Sequence, residues 1–227
     1  WKFVTEVLKL EKDKLWVSVF TTDDEAEQIW IEKCNFPKER IVRLGEDENW
    51  WAAGPTGSCG PFSEIHVDLG PAYGGDENSK RGDEGTDNRF IEIWNLVFTE
   101  WNRKEDGTLE PLPKKNIDTG AGLERIAAMV QGKSNNFETD LLFPLVEEAG
   151  KLTNSEYGKN KDANFSLKVI TDHSRAVTFL INDGVIPSNE GRGYVLRRIL
   201  RRAVRHGRLL GQSELFLYKM VDKVVAM

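Results

Sequence analysis

The sequence predicts an α+β chain, with an antiparallel, strand-rich part over residues 1–153 and an all-α part over residues 154–227. Two observations carry this. Residues 89–101 alternate aromatic and β-branched side chains, then meet the turn Glu105-Asp106-Gly107-Thr108 and a returning segment that starts at Leu109, the pattern of a hairpin. Past Val130 the apolar spacing changes to that of amphipathic helices, with Asn, Gly and Lys between them; the boundary is placed in the polar stretch 154–164.

The elements follow in order. Residues 1–8 read as a helix already under way, and 224–227 end inside an apolar helical pattern, so the chain is expected to be an internal piece of a longer protein. Leu15-Trp16-Val17-Ser18-Val19-Phe20 reads as a strand. Thr22-Asp23-Asp24-Glu25 supplies a cap and an acidic first turn for a helix to about Lys33, and Ile41-Val42-Arg43-Leu44 is a second short strand. Residues 54–61 are dense in turn formers. The adjacent Trp50 and Trp51 would face opposite ways on a strand. Residues 62–68 alternate as a strand, and 69–88 read as a long acidic, solvated loop. In the strand 89–101, strict alternation puts Ile91, Ile93, Asn95 and Val97 on one face and Glu92, Trp94, Leu96 and Phe98 on the other. Asn95 among apolar neighbours must find a partner, either backbone or a ligand. Helices are expected over 139–151, 165–182, 193–210 and 213–227.

Residues 116–128, Asn-Ile-Asp-Thr-Gly-Ala-Gly-Leu-Glu-Arg-Ile-Ala-Ala, read as a strand, a glycine turn and a helix beginning near Leu123. Gly120 and Gly122 would allow a sharp turn and close approach of a ligand, and a helix start favours an anion. Arg125 in the first helical turn could grip a phosphate, and Asp118 could receive an ammonium. The alternative is an ordinary strand-to-helix turn with Arg125 in an ion pair.

The net charge of −6 and pI near 5.3 do not mark the whole chain as a nucleic-acid binder. Locally the picture differs. Arg197, Arg198, Arg201, Arg202, Arg205 and Arg208 fall on one side of a helix, with Leu196, Ile199, Leu200, Ala203 and Val204 on the other. Such a stripe is either a solvated face or a phosphate-backbone partner. Cys34 and Cys59 give no disulfide framework and fit a reducing compartment. No signal peptide is expected and no apolar run comes near the ~20 residues of a membrane span, so a cytoplasmic location without membrane contact is expected. His173 sits on an apolar stripe with Val169, Val177 and Leu180 and reads as a packing residue; Asn189, near a helix start, could be a cap.

Gly120-Ala121-Gly122-Leu123-Glu124-Arg125 resembles the third signature motif of the class II aminoacyl-tRNA synthetases. Asp118-Thr119 before it and Ile126-Ala127-Ala128 after it resemble the alanyl family of that class. Ile91-Glu92-Ile93-Trp94-Asn95 and the run Asp183-Gly184 to Pro187-Ser188-Asn189-Glu190, then Arg192-Gly193-Tyr194-Val195-Leu196-Arg197-Arg198, are similar to the same family, as is Asp172-His173-Ser174-Arg175. Residues 57–64 match its Gly-Pro-Cys-Gly-Pro-Cys-Ser-Glu pattern, except that Ser58 replaces a proline and Phe62 the second cysteine, so no zinc site of paired cysteines is expected.

The resemblance implies an antiparallel class II catalytic core, here its second half without motifs 1 and 2, followed by the start of a helical domain that recognises the tRNA-Ala acceptor stem. It implies ATP-dependent joining of L-alanine to tRNA-Ala through an alanyl-adenylate, with Mg²⁺. Asp118, Asn95 and Arg125 would be catalytic; Asn95, Val97, Asp118, Gly120 and Trp51 would bind alanine. Trp51, Ile93, Trp94, Asn95, Gly122 and Arg125 would bind ATP, with Glu92 a candidate Mg²⁺ ligand. Asn189, Arg197, Arg198, Arg201, Arg202 and Arg205 would bind tRNA, Asn189 as one of two readers of a G·U pair, the other lying past Met227. A non-catalytic tRNA-binding paralogue, or a fragment inactive by itself, is the alternative.

Overall fold

The computed structural model describes residues 1–227. They divide into two compact units, Trp1–Ser134 and Asn135–Met227.

The first unit is a mixed six-stranded sheet: β1 (Leu15–Phe20), β2 (Ile41–Leu44), β3 (Trp50–Ala52), β4 (Gly57–Asp68), β5 (Phe90–Arg103) and β6 (Leu109–Ala121). Its order is β2-β1-β4-β5-β6, with β3 also on β4; only the β1–β2 pair is parallel. The crossover between β1 and β2 is helix α1 (Asp24–Cys34). The Asp23 side chain caps α1 by accepting from the Ala26 N–H at 2.9 Å, and Asn35 ends it in the left-handed region. Leu15, Val17 and Val19 point to the α1 side and are fully buried with Trp30, Ile65 and Ile93. Burying each such side chain contributes about 1.5–3 kcal/mol. Trp30 packs edge-on against Trp1 and Phe36 and donates from Nε1 to Ser63 Oγ at 2.8 Å, so its polar edge is satisfied inside the core. A short helix, α2 (Glu46–Asn49), leads into β3, and α3 (Leu123–Val130) packs Ile126 and Met129 on the same core.

Several local expectations change. At the N-terminus only Phe3–Val7 form a wide helical turn. The turn-rich stretch 54–61 is in its second half strand, since β4 starts at Gly57. Gly60 permits this, because a Cβ there would lie 1.9 Å from the Phe98 carbonyl oxygen on β5. The loop 69–88 is anchored: Thr86 is fully buried, Arg81 pairs with Glu48 at 2.6 Å, and just past it Arg89 grips Asp68 at 2.6 and 2.7 Å. Its acidic composition hides these few fixed points.

The second unit is helical: α4 (Phe143–Thr153), α5 (Lys161–Asn182), α6 (Gly191–Leu209) and α7 (Met220–Val225). Asn160 caps α5 by accepting from the Asp162 and Ala163 N–H groups. Leu145, Val146 and Ala149 of α4 share a core with Leu167, Ile170, Phe216 and Met220. That packing is why the division falls after Ser134, whereas the sequence put the boundary at 153/154. The helix expected over 213–227 is reduced to α7 after a tight turn at Leu217–Lys219, because Phe216 turns into the core while Leu215 is 84% exposed. No helix is long and apolar enough to cross a membrane.

Candidate functional site

The face of the sheet opposite α1 collects the polar residues. β5 and β6 pair with Asn95 opposite Gly120 and Val97 opposite Asp118, and directly opposed residues share a face. Asn95, Val97, Asp118 and Gly120 therefore stand together. Asn95 and Asp118 are diagonal neighbours, a relation that separates Cα atoms by roughly 7–8 Å and lets both side chains reach one small ligand. Asp118 is exposed, its Oδ1 accepting from the Thr119 N–H at 2.9 Å. A Cβ on Gly120 would meet nothing within 4 Å, so this glycine leaves open space on the Asn95 face.

A β-bulge changes the parity of β5. Ile65 pairs with Trp94 and the next residue, His66, with Glu92, leaving Ile93 as an extra residue. Glu92 is thereby moved to the Asn95 face, contrary to strict alternation. Ile93, 1% exposed, lies in the core, and Trp94 packs beside it with its ring 5.6 Å from Phe3. The side chains of Ile93 and Trp94 are thus on the wrong face to frame a nucleotide beside Asn95; only their backbone is available for that. Trp50 packs on Phe20 at 5.2 Å, whereas its neighbour Trp51 is 38% exposed.

The expected glycine turn is a continuation of strand. β6 runs through Ala121, Gly122 has an ordinary φ of −79° and caps α3, and its N–H donates to the Ile93 carbonyl at 3.3 Å. This contact sets the start of α3 against the bulge. Arg125 then reaches Glu92, donating from Nη1 to Oε2 at 2.7 Å and to the carbonyl at 3.0 Å.

Beneath Asn95 lies a buried polar chain that sequence reasoning missed. Glu64, 7% exposed, accepts from Asn95 Nδ2 at 3.2 Å and from Ser18 Oγ at 3.4 Å, and its Oε2 is 3.1 Å from His66 Nε2. Asn49 donates to Ser18 Oγ at 3.1 Å. The available signal was polar residues, Ser18 above all, inside otherwise apolar strands.

In the helical unit, Asn189, Arg197, Arg198, Arg201 and Arg202 line a groove of about 730 Å³ with His173 and Tyr194. Arg197, Arg198, Arg201, Arg202 and Arg205 are all exposed, while Leu196 and Ala203 are fully buried; Val204, expected inward, is 38% exposed. Asn189 is not the cap of α6: Glu190 holds that position, and Asn189 Oδ1 instead accepts from Arg197. His173 Nδ1 is 2.8 Å from Asp172 Oδ2. His206, not singled out by the sequence, is buried with Nδ1 3.1 Å from Ser166 Oγ. Burial, then the charges of Arg202, Arg205 and His173, hold its pKa below the ordinary value.

The family model described as tRNA synthetases class II (A) matches residues 1–227. The chain belongs to the class II tRNA synthetases. It is 86% identical over 225 residues to an alanine–tRNA ligase of Fusobacterium nucleatum subsp. nucleatum, with 99% of this chain and 26% of that protein covered. The alanine–tRNA ligases of Thermotoga maritima and Clostridioides difficile are 55% and 53% identical, with 99% of this chain and 26% and 25% of their lengths covered. The chain thus spans about a quarter of the length of the curated relatives it matches. In this class II synthetase domain, the bulge at Ile93 and the close pairing of β5 with β6 bring Glu92, Asn95 and Asp118 to one surface.

Proposed function

We propose that this chain carries the amino-acid and ATP sites, and part of the tRNA-binding surface, of an enzyme that joins L-alanine to tRNA-Ala. The observation that carries this reading is the shared face of Asn95, Val97, Asp118 and Gly120, with the buried Asn95 Oδ1 lacking a partner within the chain. The names of the relatives supply alanine.

Asp118 pairs with the alanine ammonium and Asn95 helps to orient the amino acid. Val97 and Trp51 bound its small side chain, and the missing side chain at Gly120 leaves room for it. The alanine carboxylate attacks the α-phosphorus of ATP, releasing pyrophosphate and forming alanyl-adenylate. A ribose hydroxyl at the tRNA 3′ end then attacks the alanyl carbonyl, and AMP leaves. Positioning and charge stabilisation supply most of the rate. Arg125 and the start of α3 at Gly122 hold phosphate oxygens, and the backbone at Ile93 and Trp94 meets the base.

With Asp118 given to the ammonium, the carboxylate on this face that could hold Mg²⁺ is Glu92, which already accepts from Arg125. One carboxylate suits an ion that completes its shell with waters and phosphate oxygens. Bound there, Mg²⁺ would neutralise phosphate charge. On the helical unit, the exposed arginines of α6 meet the acceptor-stem backbone and Asn189 reads a base edge.

The test is alanine-dependent ATP–pyrophosphate exchange by the full-length protein. Exchange with alanine supports the reading. Its absence, with retained binding of tRNA-Ala, would make the protein a tRNA-binding paralogue.

A further inference from the structure

We infer that Glu64 is a positioning residue that fixes which end of the Asn95 amide is offered to the amino acid. This rests on the reading of the Asn95 face as the alanine site.

An asparagine amide has a donor end and an acceptor end of nearly the same shape, and only its partners decide which faces where. A carboxylate accepts and does not donate, so the Nδ2–Oε1 contact of 3.2 Å sets Asn95 with Nδ2 on Glu64. The opposite setting would bring two oxygens together. Oδ1 is then the atom left over, and it is buried without a partner in the chain. Leaving such an acceptor unmatched is unfavourable, and a donor from a ligand would relieve it. The ammonium of an amino acid is that kind of donor, with Asp118 two residues from the Asn95 pairing position to supply the charge.

Glu64 is itself held in place. Asn49 Nδ2 donates to Ser18 Oγ at 3.1 Å and to the Phe62 carbonyl at 2.7 Å, and the Ser18 hydroxyl stands 3.4 Å from both Glu64 Oε2 and His66 Nε2. His66 Nε2 adds a contact at 3.1 Å to the same oxygen. One carboxylate oxygen is therefore fixed from below by β1 and β4, while the other grips Asn95 on β5. The order Asn49–Ser18–Glu64–Asn95 carries the orientation outward from the buried interior to the ligand face.

The test compares Glu64→Gln, Asn95→Ala and the double variant in the full-length protein by ATP–pyrophosphate exchange. Glutamine keeps the shape, but its own amide can donate to Asn95 and so permits the reversed setting. Expected is a rise of about tenfold in the KM for alanine, with the KM for ATP within about twofold of wild type. In the Asn95→Ala background Glu64→Gln should add less than about twofold, because its effect passes through Asn95. Equal effects of Glu64→Gln in both backgrounds, or an unchanged alanine KM while Asn95→Ala raises it, would overturn the proposal and leave the alanine site standing. An Asn95→Ala variant with normal alanine KM would instead remove the alanine reading of this face, and this inference with it. Should Glu64→Gln not fold, Ser18→Ala takes its place, since it removes one donor from the same carboxylate. A selective rise in alanine KM is then expected, and an unchanged value would overturn the proposal.

Discussion

Arg125 holds Glu92 through both its side chain and its carbonyl, at 2.7 and 3.0 Å from a single guanidinium nitrogen. The pair joins α3 to the bulged part of β5, a structural task that a lysine could partly perform. Phosphate binding by a planar fork is a different task, which a point charge does not reproduce. Arg125→Lys in the full-length protein is therefore expected to keep its thermal stability while kcat/KM for ATP in pyrophosphate exchange falls by about tenfold or more. ATP kinetics equal to wild type would confine Arg125 to its ion pair.

The helical unit permits a separate test, because Asn189 and the arginine stripe should fail in different ways. Arg201→Ala and Arg205→Ala are expected to weaken binding of all acceptor stems alike and to lower the salt-dependence slope by about one each. Asn189→Ala should reduce aminoacylation of a G·U stem more than of its G·C counterpart, by about 1–3 kcal/mol of discrimination. Paired stem substrates at fixed salt make the comparison. Equal losses from Asn189→Ala on both stems would leave it a partner of Arg197 only.

His206 gives the helical unit a pH dependence with a definite sign. Its folded pKa is lowered from 6.5 by burial first and then by Arg202, Arg205 and His173. The unfolded chain therefore takes up the proton at a higher pH than the folded one. The contribution to stability is present above 6.5 and is lost as pH falls through the folded value. Thermal unfolding between neutral and mildly acidic pH should show a fall in Tm that is smaller in His206→Gln. An identical pH slope in that variant would place the dependence elsewhere.

Much of the fold is legible because its elements announce themselves locally. The strand from Leu15, the Asp23 cap, the long β5 and the amphipathic α5 and α6 all follow from residue type and period. The common face of Asn95 and Val97 is legible for the same reason, since alternation holds between them. It fails two residues before Asn95, at Ile93, where the bulge moves Glu92 to the site side. A bulge is decided by the neighbouring strand, which single-strand periodicity does not report. The position of α4 is a similar case: its own sequence says helix, but only packing with Leu167 and Ile170 says which unit it joins. Glu64 is hidden because a charged residue in a strand reads as solvent-facing until Ser18, His66 and Asn95 are seen to converge on it.

The most direct test of the account is the KM for alanine of Asp118→Asn in ATP–pyrophosphate exchange by the full-length protein. Asp118 stands opposite Val97 on the face that also holds Asn95 and Gly120, and it is the carboxylate assigned to the ammonium. An amide of the same shape removes the charge from a charge-assisted bond worth about 1.5–3 kcal/mol. The account expects kcat/KM for alanine to fall at least about tenfold while the KM for ATP stays near wild type. Unchanged alanine kinetics would contradict it, because the amino acid would then bind somewhere other than the Asn95 face.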